Sequence, residues 1–362
     1  MTALLQELRA LIAENGPVSV ERYMALALGH PRHGYYMTRD PFGQDGDFTT
    51  APEVSQMFGE LLGLWAAAVW DAMGRPDPVR LVELGPGRGT LMCDALRAAR
   101  LSPVFRAAVD VHLVETSPTL QVVQKRMLSG AAVEPTWHTA LDTVPDGPAL
   151  ILANEFFDAL PIRQFVRMPG GVHERLVGLG DDGGLTFGLS PDPVRRAAPA
   201  LPVASPIFEV GLVGEAIMAG IAERVMRQGG AVLAIDYGHA VSGAGDTLQA
   251  VKRHAFVDPL AEPGEADLTA HVDFAALARA ARTAGARVHG PVEQGTFLDG
   301  LGLRERAAAL SRKASPGQAE AIAAAVARLA GRDPGMGQLF KVMAVSHTGL
   351  LSLPGFFSEV QP

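Results

Sequence analysis

The spacing of apolar residues divides the chain into a helical N-terminal part and a longer part in which strands and helices alternate. Near the N-terminus, apolar side chains recur at helical spacing and form one stripe, which consists of Leu4, Leu5, Leu8, Leu11 and Ile12. The Asn-Gly-Pro sequence at 15–17 predicts the end of that helix, and a second helix is predicted over 19–29. Residues 30–50 are rich in Gly, Pro and Asp and predict a loop, after which helical spacing resumes over 52–73.

From residue 79 onward, short apolar runs alternate with helical segments, which is typical of βαβ units and a parallel sheet. The predicted buried strands are 79–85, 109–116, 149–155, 231–238 and 338–346. The predicted helices are 89–100, a segment that starts at Ser117, 208–228, 273–284 and the Ala-rich stretch 299–330. This pattern predicts an α/β fold with a Rossmann-like, doubly wound sheet.

Residues 163–189 interrupt the alternation, because three short apolar segments there are separated by Gly-rich turns and predict antiparallel strands. We therefore predict an N-terminal helical cap over 1–75 and a main domain over 76–362. The main domain carries insertions near 163–230 and 299–335.

Composition narrows the class of protein. Cys93 is the only cysteine of the 362 residues, which excludes an internal disulfide and a cysteine-based metal cage. The formal net charge of −8 disfavours nucleic acid as a partner, since phosphate binding needs a basic face. No apolar run reaches the roughly 18 residues that suggest a membrane span. Glu7 and Glu14 in the first helix disfavour a secretory signal or a mitochondrial presequence, so we predict a cytoplasmic protein.

The strongest local signal is LVELGPGRGT at 81–90, where a predicted strand leads through Gly85, Gly87 and Gly89 into a helix. Glycines let the backbone approach a ligand closely, and the helix N-terminus offers free N–H groups. A dinucleotide fingerprint needs a further glycine where Thr90 stands, and an acid about 20 residues past the loop. The first acid at a strand end is instead Glu115, so an NAD-type oxidoreductase is disfavoured but stays an alternative.

A nucleoside without a pyrophosphate fits this loop better. Glu115, at the end of the second predicted strand, can accept hydrogen bonds from two ribose hydroxyls. Glu83 lies inside the first predicted strand, where an unpaired acid is costly to bury. A ligand ammonium or sulfonium group near Glu83 would offset that cost.

Eight strings, taken together, resemble the MidA-like methyltransferases, whose mitochondrial members assist the assembly of respiratory complex I. They span nearly the whole chain in order: GYYM (34–37), DFTTAPEVSQMFGE (47–60), VELGPGRGT (82–90), VETSP (114–118), ANEFFDALP (153–161), IDYG (235–238), DLTAHVDF (267–274) and GQLFKVMAV (337–345). The resemblance implies a class I methyltransferase fold, S-adenosylmethionine as cofactor, and symmetric dimethylation of an arginine in a complex I subunit. It also implies that the FTTAPE segment at 48–53 closes over the cofactor. Independently, the long polar loop ahead of the sheet predicts that residues 30–60 form part of a lid over the cofactor.

The predicted cofactor-binding residues follow from the loop, the strand ends and the resemblance. They are Thr49, Thr50, Gln56, Glu83, Gly85, Gly87, Gly89, Thr90, Glu115, Ser117 and Asn154. Two of these have a competing structural explanation. Thr50 and Glu53, with Pro52 between them, form the T-x-x-E pattern of a helix capping box. Asn154 could bind the methionine part of the cofactor or cap the next helix.

Four residues are predicted to act on the substrate: Glu155, Asp158, Asp236 and His271. Glu155 follows a buried strand, and a carboxylate there can hold two N–H groups of a guanidinium, although it could instead cap a helix. Asp158 could be a second carboxylate or a solvated acid, and Asp236 could face substrate or hold a turn. His271 could accept the released proton. His30 and His33 lie in a loop, and no metal site is predicted.

The predicted partner is a protein substrate, and the sequence leaves its identity and the oligomeric state open. Asn-Glu-Phe-Phe at 154–157 differs from the Asn/Asp-Pro-Pro-aromatic pattern of enzymes that methylate nucleic-acid amino groups. An aminopropyl transferase remains an alternative enzyme. A non-catalytic assembly factor that binds the cofactor remains an alternative of another class.

Overall fold

The computed structural model describes residues 2–38, 49–131, 133–194, 205–333 and 335–356. The helices are α1 Ala3–Asn15, α2 Val20–Gly29, α3 Tyr35–Thr38, α4 Ala51–Val54, α5 Gln56–Ala72, α6 Thr90–Ala99, α7 Pro103–Ala108, α8 Pro118–Leu128, α9 Leu212–Gln228, α10 Phe274–Thr283, α11 Gln294–Gly300, α12 Leu303–Ser311, α13 Pro316–Ala330 and α14 Met336–Leu339. The described helices include none that is long and apolar enough to cross a membrane.

The strands form three sheets. They are β1 Val18–Ser19, β2 Val79–Leu84, β3 Val109–Val114, β4 Thr136–His138, β5 Ala149–Asn154, β6 Arg163–Met168, β7 Gly171–Leu179, β8 Leu185–Leu189, β9 Ile207–Val210, β10 Gly230–His239, β11 Gln249–Lys252, β12 Ala255–Val257, β13 Asp267–Thr269, β14 Val272–Asp273, β15 Arg287–Glu293 and β16 Phe340–Ser346.

The main sheet has the order β15-β16-β10-β5-β2-β3-β4, with β14 beside β10. The five strands from β10 to β4 are parallel, and β16 runs antiparallel to both of its neighbours. Strands β2, β5 and β10 are almost wholly buried because apolar helices cover both faces: α5 and α6 pack on one, α9 and α10 on the other. This arrangement confirms the predicted doubly wound α/β fold. The chain order reverses at β2, where β3 lies on one side and β5 on the other, and such a switch point opens a crevice for a ligand.

The two smaller sheets bring the N-terminal segment and the insertion to the main sheet. Strand β1 pairs with β7 in a sheet that also contains β6, β8 and β9. The third sheet has the order β12-β11-β13, and its apolar residues pack with those of α1 and α2 in one cluster. The division of the chain after residue 75 stays a prediction.

Three predicted helices differ from the observed elements for local reasons. The predicted helix 52–73 is interrupted at Ser55, which is extended (φ −163°, ψ 139°) and whose hydroxyl accepts the Met57 N–H at 3.2 Å. The helix predicted over 208–228 begins only at Leu212, because the preceding Ile207–Val210 segment pairs with β6. The Ala-rich stretch forms three helices, which Gly302 (φ 91°) and the capping box at Ser315 separate.

Candidate active site

A cavity of about 770 Å³ opens at the carboxyl ends of the parallel strands. Its walls come from the loops after β2, β3 and β5, from Tyr237 on β10, from the N-terminal segment, and from the third sheet. Ligands of open α/β sheets bind at this edge. Most of the predicted site residues line it: Thr49, Thr50, Glu83, Gly85, Gly87, Thr90, Glu115, Asn154, Glu155, Asp158 and His271.

The glycine loop requires glycine for its backbone conformation. Gly85, Gly87 and Gly89 have φ values of 60°, 52° and 84°, in the left-handed region that side chains disfavour. A Cβ on Gly85 would also lie 3.0 Å from the Phe156 ring. Gly85 and Gly87 line the cavity, and Gly89 instead precedes α6 at the helix start. The loop therefore presents backbone rather than side chains to a ligand.

Two buried acids face the cavity from the ends of β2 and β3. Glu115 accepts the Ser117 N–H at 2.7 Å and the Gln124 amide at 3.0 Å, which fixes its carboxylate at the cavity wall. Glu83 Oε2 has no hydrogen-bond partner among the described residues, and burial raises the pKa of Glu83 to about 8. An unpartnered buried acceptor suits a cationic ligand, which would supply the missing donor and favour the charged form.

A third buried acceptor lies at the end of β5. Asn154 is 9% exposed, its Nδ2 donates to Glu155 Oε1 at 3.1 Å, and its Oδ1 has no partner in the described part of the chain. Thr90, across the cavity, donates its hydroxyl to Glu53 Oε1 at 2.5 Å. The capping box expected for Thr50 and Glu53 is therefore wrong: Glu53 is bonded to Thr90, and the Thr50 side chain makes no cap hydrogen bond.

Four predicted site residues lie outside the cavity lining: Gln56, Gly89, Ser117 and Asp236. Gln56 is exposed at the first position of α5. Ser117 is buried as the N-cap of α8, where its hydroxyl accepts the Leu120 N–H at 3.3 Å. The predicted lid falls partly on residues 39–48, which lie outside the described residues. Its described flanks, including Tyr36 and Thr49, line the cavity, and closure stays a prediction.

Glu155 occupies a strained position at the cavity. Its φ of 49° is left-handed, which costs a non-glycine residue about 1 kcal/mol or more. Its Oε1 accepts the Ala51 N–H at 2.9 Å, so the carboxylate caps α4 of the N-terminal segment, and not the helix that follows it in sequence. Burial raises the pKa of Glu155 to about 7, and nearby Asp158 contributes to the same direction.

Asp158 and His271 complete the predicted substrate side. Asp158 is buried, its Oδ1 has no partner among the described residues, and burial raises its pKa to about 6 against a hydrogen bond from Tyr237. His271 packs edge-on against the Tyr237 ring, with 5.5 Å between ring centroids. Burial, His239 and Lys341 lower the pKa of His271, so the imidazole is neutral at pH 7 and able to accept a proton.

The sequence did not identify two residues of the cavity, Asp267, which supplies a further carboxylate, and Tyr36, which donates a hydrogen bond to it. Asp267 is buried at the start of β13, and the Tyr36 hydroxyl donates to its Oδ1 at 2.7 Å. Tyr36 also lies within electrostatic range of Asp158. The strings at 34–37 and 267–274 contain these residues, but nothing in either string shows that they meet. The cavity thus has Glu155, Asp158 and Asp267 on one side.

Asp236 organises this side of the cavity without lining it. It is fully buried, and its Oδ2 accepts the backbone N–H groups of Phe156, Phe157 and Asp158 at 3.1, 2.9 and 3.2 Å. Its Oδ1 accepts the Tyr237 N–H at 3.0 Å. The prediction that Asp236 faces substrate is therefore wrong, because the carboxylate is occupied by the loop that carries Glu155.

We expect Asp236→Asn to lower turnover more than cofactor affinity. An amide can keep the three loop N–H groups on its oxygen, but its NH2 then meets the Tyr237 N–H, donor against donor. The free energy of unfolding should fall by about 1–3 kcal/mol. Methyl transfer, calorimetric cofactor titration and denaturant unfolding measure the three effects. Asp273→Asn is the control, because Asn is an equally good N-cap for α10. Wild-type turnover and stability in Asp236→Asn would contradict this role.

Residues 61–292 match the model of a family described as S-adenosyl-L-methionine-dependent methyltransferase, and the chain belongs to this family. The chain is also similar to "Protein arginine methyltransferase NDUFAF7 homolog, mitochondrial" of Drosophila melanogaster, with 39% identity over 95% of this chain and 84% of that protein. The Danio rerio protein of corresponding name is 36% identical over 97% of this chain and 88% of that protein. The prediction of a cytoplasmic protein is wrong, because these relatives are named as mitochondrial.

A crystal structure of a superfamily member from Burkholderia thailandensis, bound to S-adenosyl-homocysteine, has the same fold. It is 29% identical, with a TM-score of 0.85, and the match covers 99% of this chain and 95% of that one. The class I methyltransferase fold and S-adenosylmethionine as cofactor are thus confirmed. The residues at the cavity fit this cofactor, because Glu83 and Asn154 offer unpartnered buried acceptors beside a backbone-lined glycine loop.

Proposed function

We propose that this protein transfers the methyl group of S-adenosylmethionine to an arginine side chain of another protein. The observation that carries the proposal is a group of three carboxylates on one side of the cavity: Asp158 and Asp267, which are buried, and Glu155, which is half-buried. A guanidinium is charged at any ordinary pH, and carboxylates are its matching acceptors. The names of the relatives, which are protein arginine methyltransferases, support the same substrate class.

The residues around β2, β3 and β5 would hold the cofactor, which supplies an electrophilic methyl group on a positively charged sulfur. Gly85 and Gly87 would give it close backbone contact. Glu115 would accept hydrogen bonds from ribose hydroxyls, and its own two hydrogen bonds keep it in place for that. Glu83 and Asn154 would accept from the ammonium group, because each has a buried oxygen without a partner in the described chain.

Glu155 and Asp158 would hold the arginine. Glu155 Oε1 already accepts from Ala51 and Asn154, which fixes the carboxylate and leaves Oε2 for the substrate. Asp158 has its Oδ1 available. Two carboxylates that each take a guanidinium N–H orient the cation and draw its positive charge to one side. The remaining nitrogen is then aligned for attack, and this alignment is the main catalytic contribution expected of the protein.

His271 would take the proton that the attacking nitrogen loses. Its neutral imidazole lines the cavity beside Tyr237, on the same side as the carboxylates. We further propose that the product is symmetric dimethylarginine in a complex I subunit, as the family resemblance implies. Mass spectrometry of complex I from cells with and without this protein tests the proposal and identifies the subunit. We expect one arginine to lose its methyl groups when the protein is absent, and unchanged arginine methylation would refute the proposal.

The pKa values of the two gripping acids predict how activity depends on pH. Glu155 and Asp158 have pKa values of about 7 and about 6, so below these values they are protonated, neutral and poor partners for a cation. The arginine stays charged throughout, so kcat/KM should rise as pH increases through 6–7 and then level off. Initial rates at fixed ionic strength, from about pH 5 to about pH 9, check this. A kcat/KM that stays roughly constant between about pH 5.5 and about pH 7.5 would exclude both acids from substrate binding.

A further inference from the structure

Among the described residues, the hairpin of β11 and β12 has an unpaired sheet edge beside the cavity. Within the described part of the chain, β12 pairs with β11 and with no other strand. All three residues of β12 are exposed, and Phe256 exposes 76% of its surface although it also lines the cavity. Proteins usually protect exposed edge strands with lysine, proline or a bulge, and the Ala-Phe-Val sequence of β12 contains none of these.

The register of the hairpin determines which backbone groups face this edge. Arg253 and His254 have φ values of 52° and 61°, the conformation of a two-residue type I′ turn. The pair that flanks such a turn, Lys252 and Ala255, is hydrogen-bonded, so the next pair, Val251 and Phe256, is not. The N–H and C=O groups of Phe256 therefore point away from β11, toward the open edge.

One row of side chains leads from this edge to the buried carboxylate of Asp267. Phe256 lies opposite Val251, and Val251 lies opposite Asp267 on β13. Residues in register across a sheet share one face, and all three of these line the cavity. A strand that paired with β12 would place alternate side chains on that same face, toward Asp267 and the cavity.

We propose that β12 is the docking edge for an extended segment of the protein substrate, which adds as a fourth strand and directs its arginine into the cavity. The inference rests on the proposed function, because the carboxylate of Asp267, at the inner end of this row, matches a cationic side chain on the added strand. Main-chain hydrogen bonds to Phe256 give affinity that does not depend on the sequence of the segment. The exposed Phe256 ring gives an apolar contact for a side chain next to the arginine.

Amide hydrogen exchange tests the docking edge in the unaltered protein. The probe is the complex I subunit whose arginine loses methylation in the mass comparison above, purified from cells that lack this protein, with S-adenosylhomocysteine present to prevent turnover. We expect the Phe256 amide to exchange freely alone and about tenfold more slowly with the subunit. Thr186 on β8, an edge strand of another sheet, should be unchanged. An unprotected Phe256 amide at saturating subunit would overturn the proposal.

A matched pair of variants separates the backbone contact from the ring. Phe256→Pro removes the outward N–H without breaking a bond to β11, which an edge strand tolerates. It should raise KM for the subunit about tenfold and leave kcat and cofactor affinity unchanged. Phe256→Val keeps the N–H and should raise KM less. Equal KM values in Phe256→Pro and the wild type would overturn the proposal.

Two further outcomes have distinct meanings. Phe256 protection that grows with enzyme concentration, without any subunit, would identify a second copy of this chain as the occupant and overturn the proposal. If S-adenosylmethionine replaces S-adenosylhomocysteine in a parallel sample, methylation of a residue other than arginine in the subunit would refute the proposed function. Protection of Phe256 by the same subunit in the exchange sample would still support the docking edge.

Discussion

Glu155→Gln should reduce methyl transfer by orders of magnitude and leave S-adenosylmethionine binding nearly unchanged. The amide oxygen of Gln can still accept from Ala51 and Asn154, so α4 keeps its cap and the fold survives. The other end of the side chain then presents an NH2 group where the carboxylate had offered a second oxygen. It meets the N–H groups of the guanidinium as donor against donor, and the nucleophile loses its orientation.

Single-turnover methylation of the complex I subunit, alongside calorimetric cofactor titration, measures this effect. Glu320→Gln, an exposed position on α13, is the matched control and should behave like the wild type. If Glu155 were only a helix cap, Glu155→Gln would leave the rate nearly intact, because the amide oxygen still caps α4, and the lost charge would lower the free energy of unfolding by at most about 1 kcal/mol. Cofactor binding without turnover in the wild type would instead support a non-catalytic assembly factor.

The elements that locate the cofactor were predictable because their signals are local. Buried parallel strands appear in the sequence as short apolar runs, and Val79–Leu84, Val109–Val114 and Ala149–Asn154 lie within the predicted segments. The glycine loop and Glu115 follow strand ends, and strand ends of a parallel sheet meet at one edge. Their positions at strand ends were therefore enough to predict that Gly85, Gly87 and Glu115 lie at the same cavity.

Residues that meet through distant segments could not be predicted. Tyr36 and Asp267 are separated by 231 positions, and their hydrogen bond depends on how the third sheet packs on the N-terminal helices. The same holds for Glu155, which caps a helix 104 positions earlier in the chain. Which loops face each other depends on how the inserted segments pack. The spacing of residues within one motif contains no information about that packing.

Other errors concern the direction of a side chain. Ser117 stands beside Glu115, but a serine hydroxyl serves equally as a ligand contact or a helix cap, and here it is the cap of α8. Asp236 and Tyr237 are consecutive on β10, so they point to opposite sides of the strand. Tyr237 lines the cavity, and Asp236, on the other side of the strand, does not. The two-residue period of a strand could have indicated that only one of them faces the substrate.

The acidic wall of the cavity has an energetic consequence for the free protein. Burial raises the pKa of Glu83, Glu155 and Asp158 by more than their hydrogen bonds lower it. A bound cation stabilises the charged forms, so binding of a guanidinium or an ammonium should be accompanied by proton release. The same carboxylates, which are costly to bury in their charged form, thus select a cationic group over a neutral one.

Gly87→Val should abolish detectable S-adenosylmethionine binding and, with it, methyl transfer. Gly87 has a φ of 52°, which a β-branched residue adopts only at a cost of about 1–2 kcal/mol or more. The residue also lines the cavity between β2 and α6, so the two methyl groups of Val would occupy space that the ligand needs. Backbone strain and steric obstruction both lower cofactor affinity. If the loop shifted to relieve the strain, the backbone N–H groups at the start of α6 would move as well.

Calorimetric titration with S-adenosylmethionine measures the loss, and thermal unfolding shows whether the variant is folded. Gly188→Val is the matched control, because Gly188 lies on the exposed strand β8, has no atom within 4 Å of the added Cβ, and does not line the cavity. It should bind cofactor as the wild type does. Wild-type affinity in a folded Gly87→Val variant would show that the cofactor does not contact the glycine loop, and the site would then have to be sought elsewhere along the carboxyl edge of the sheet.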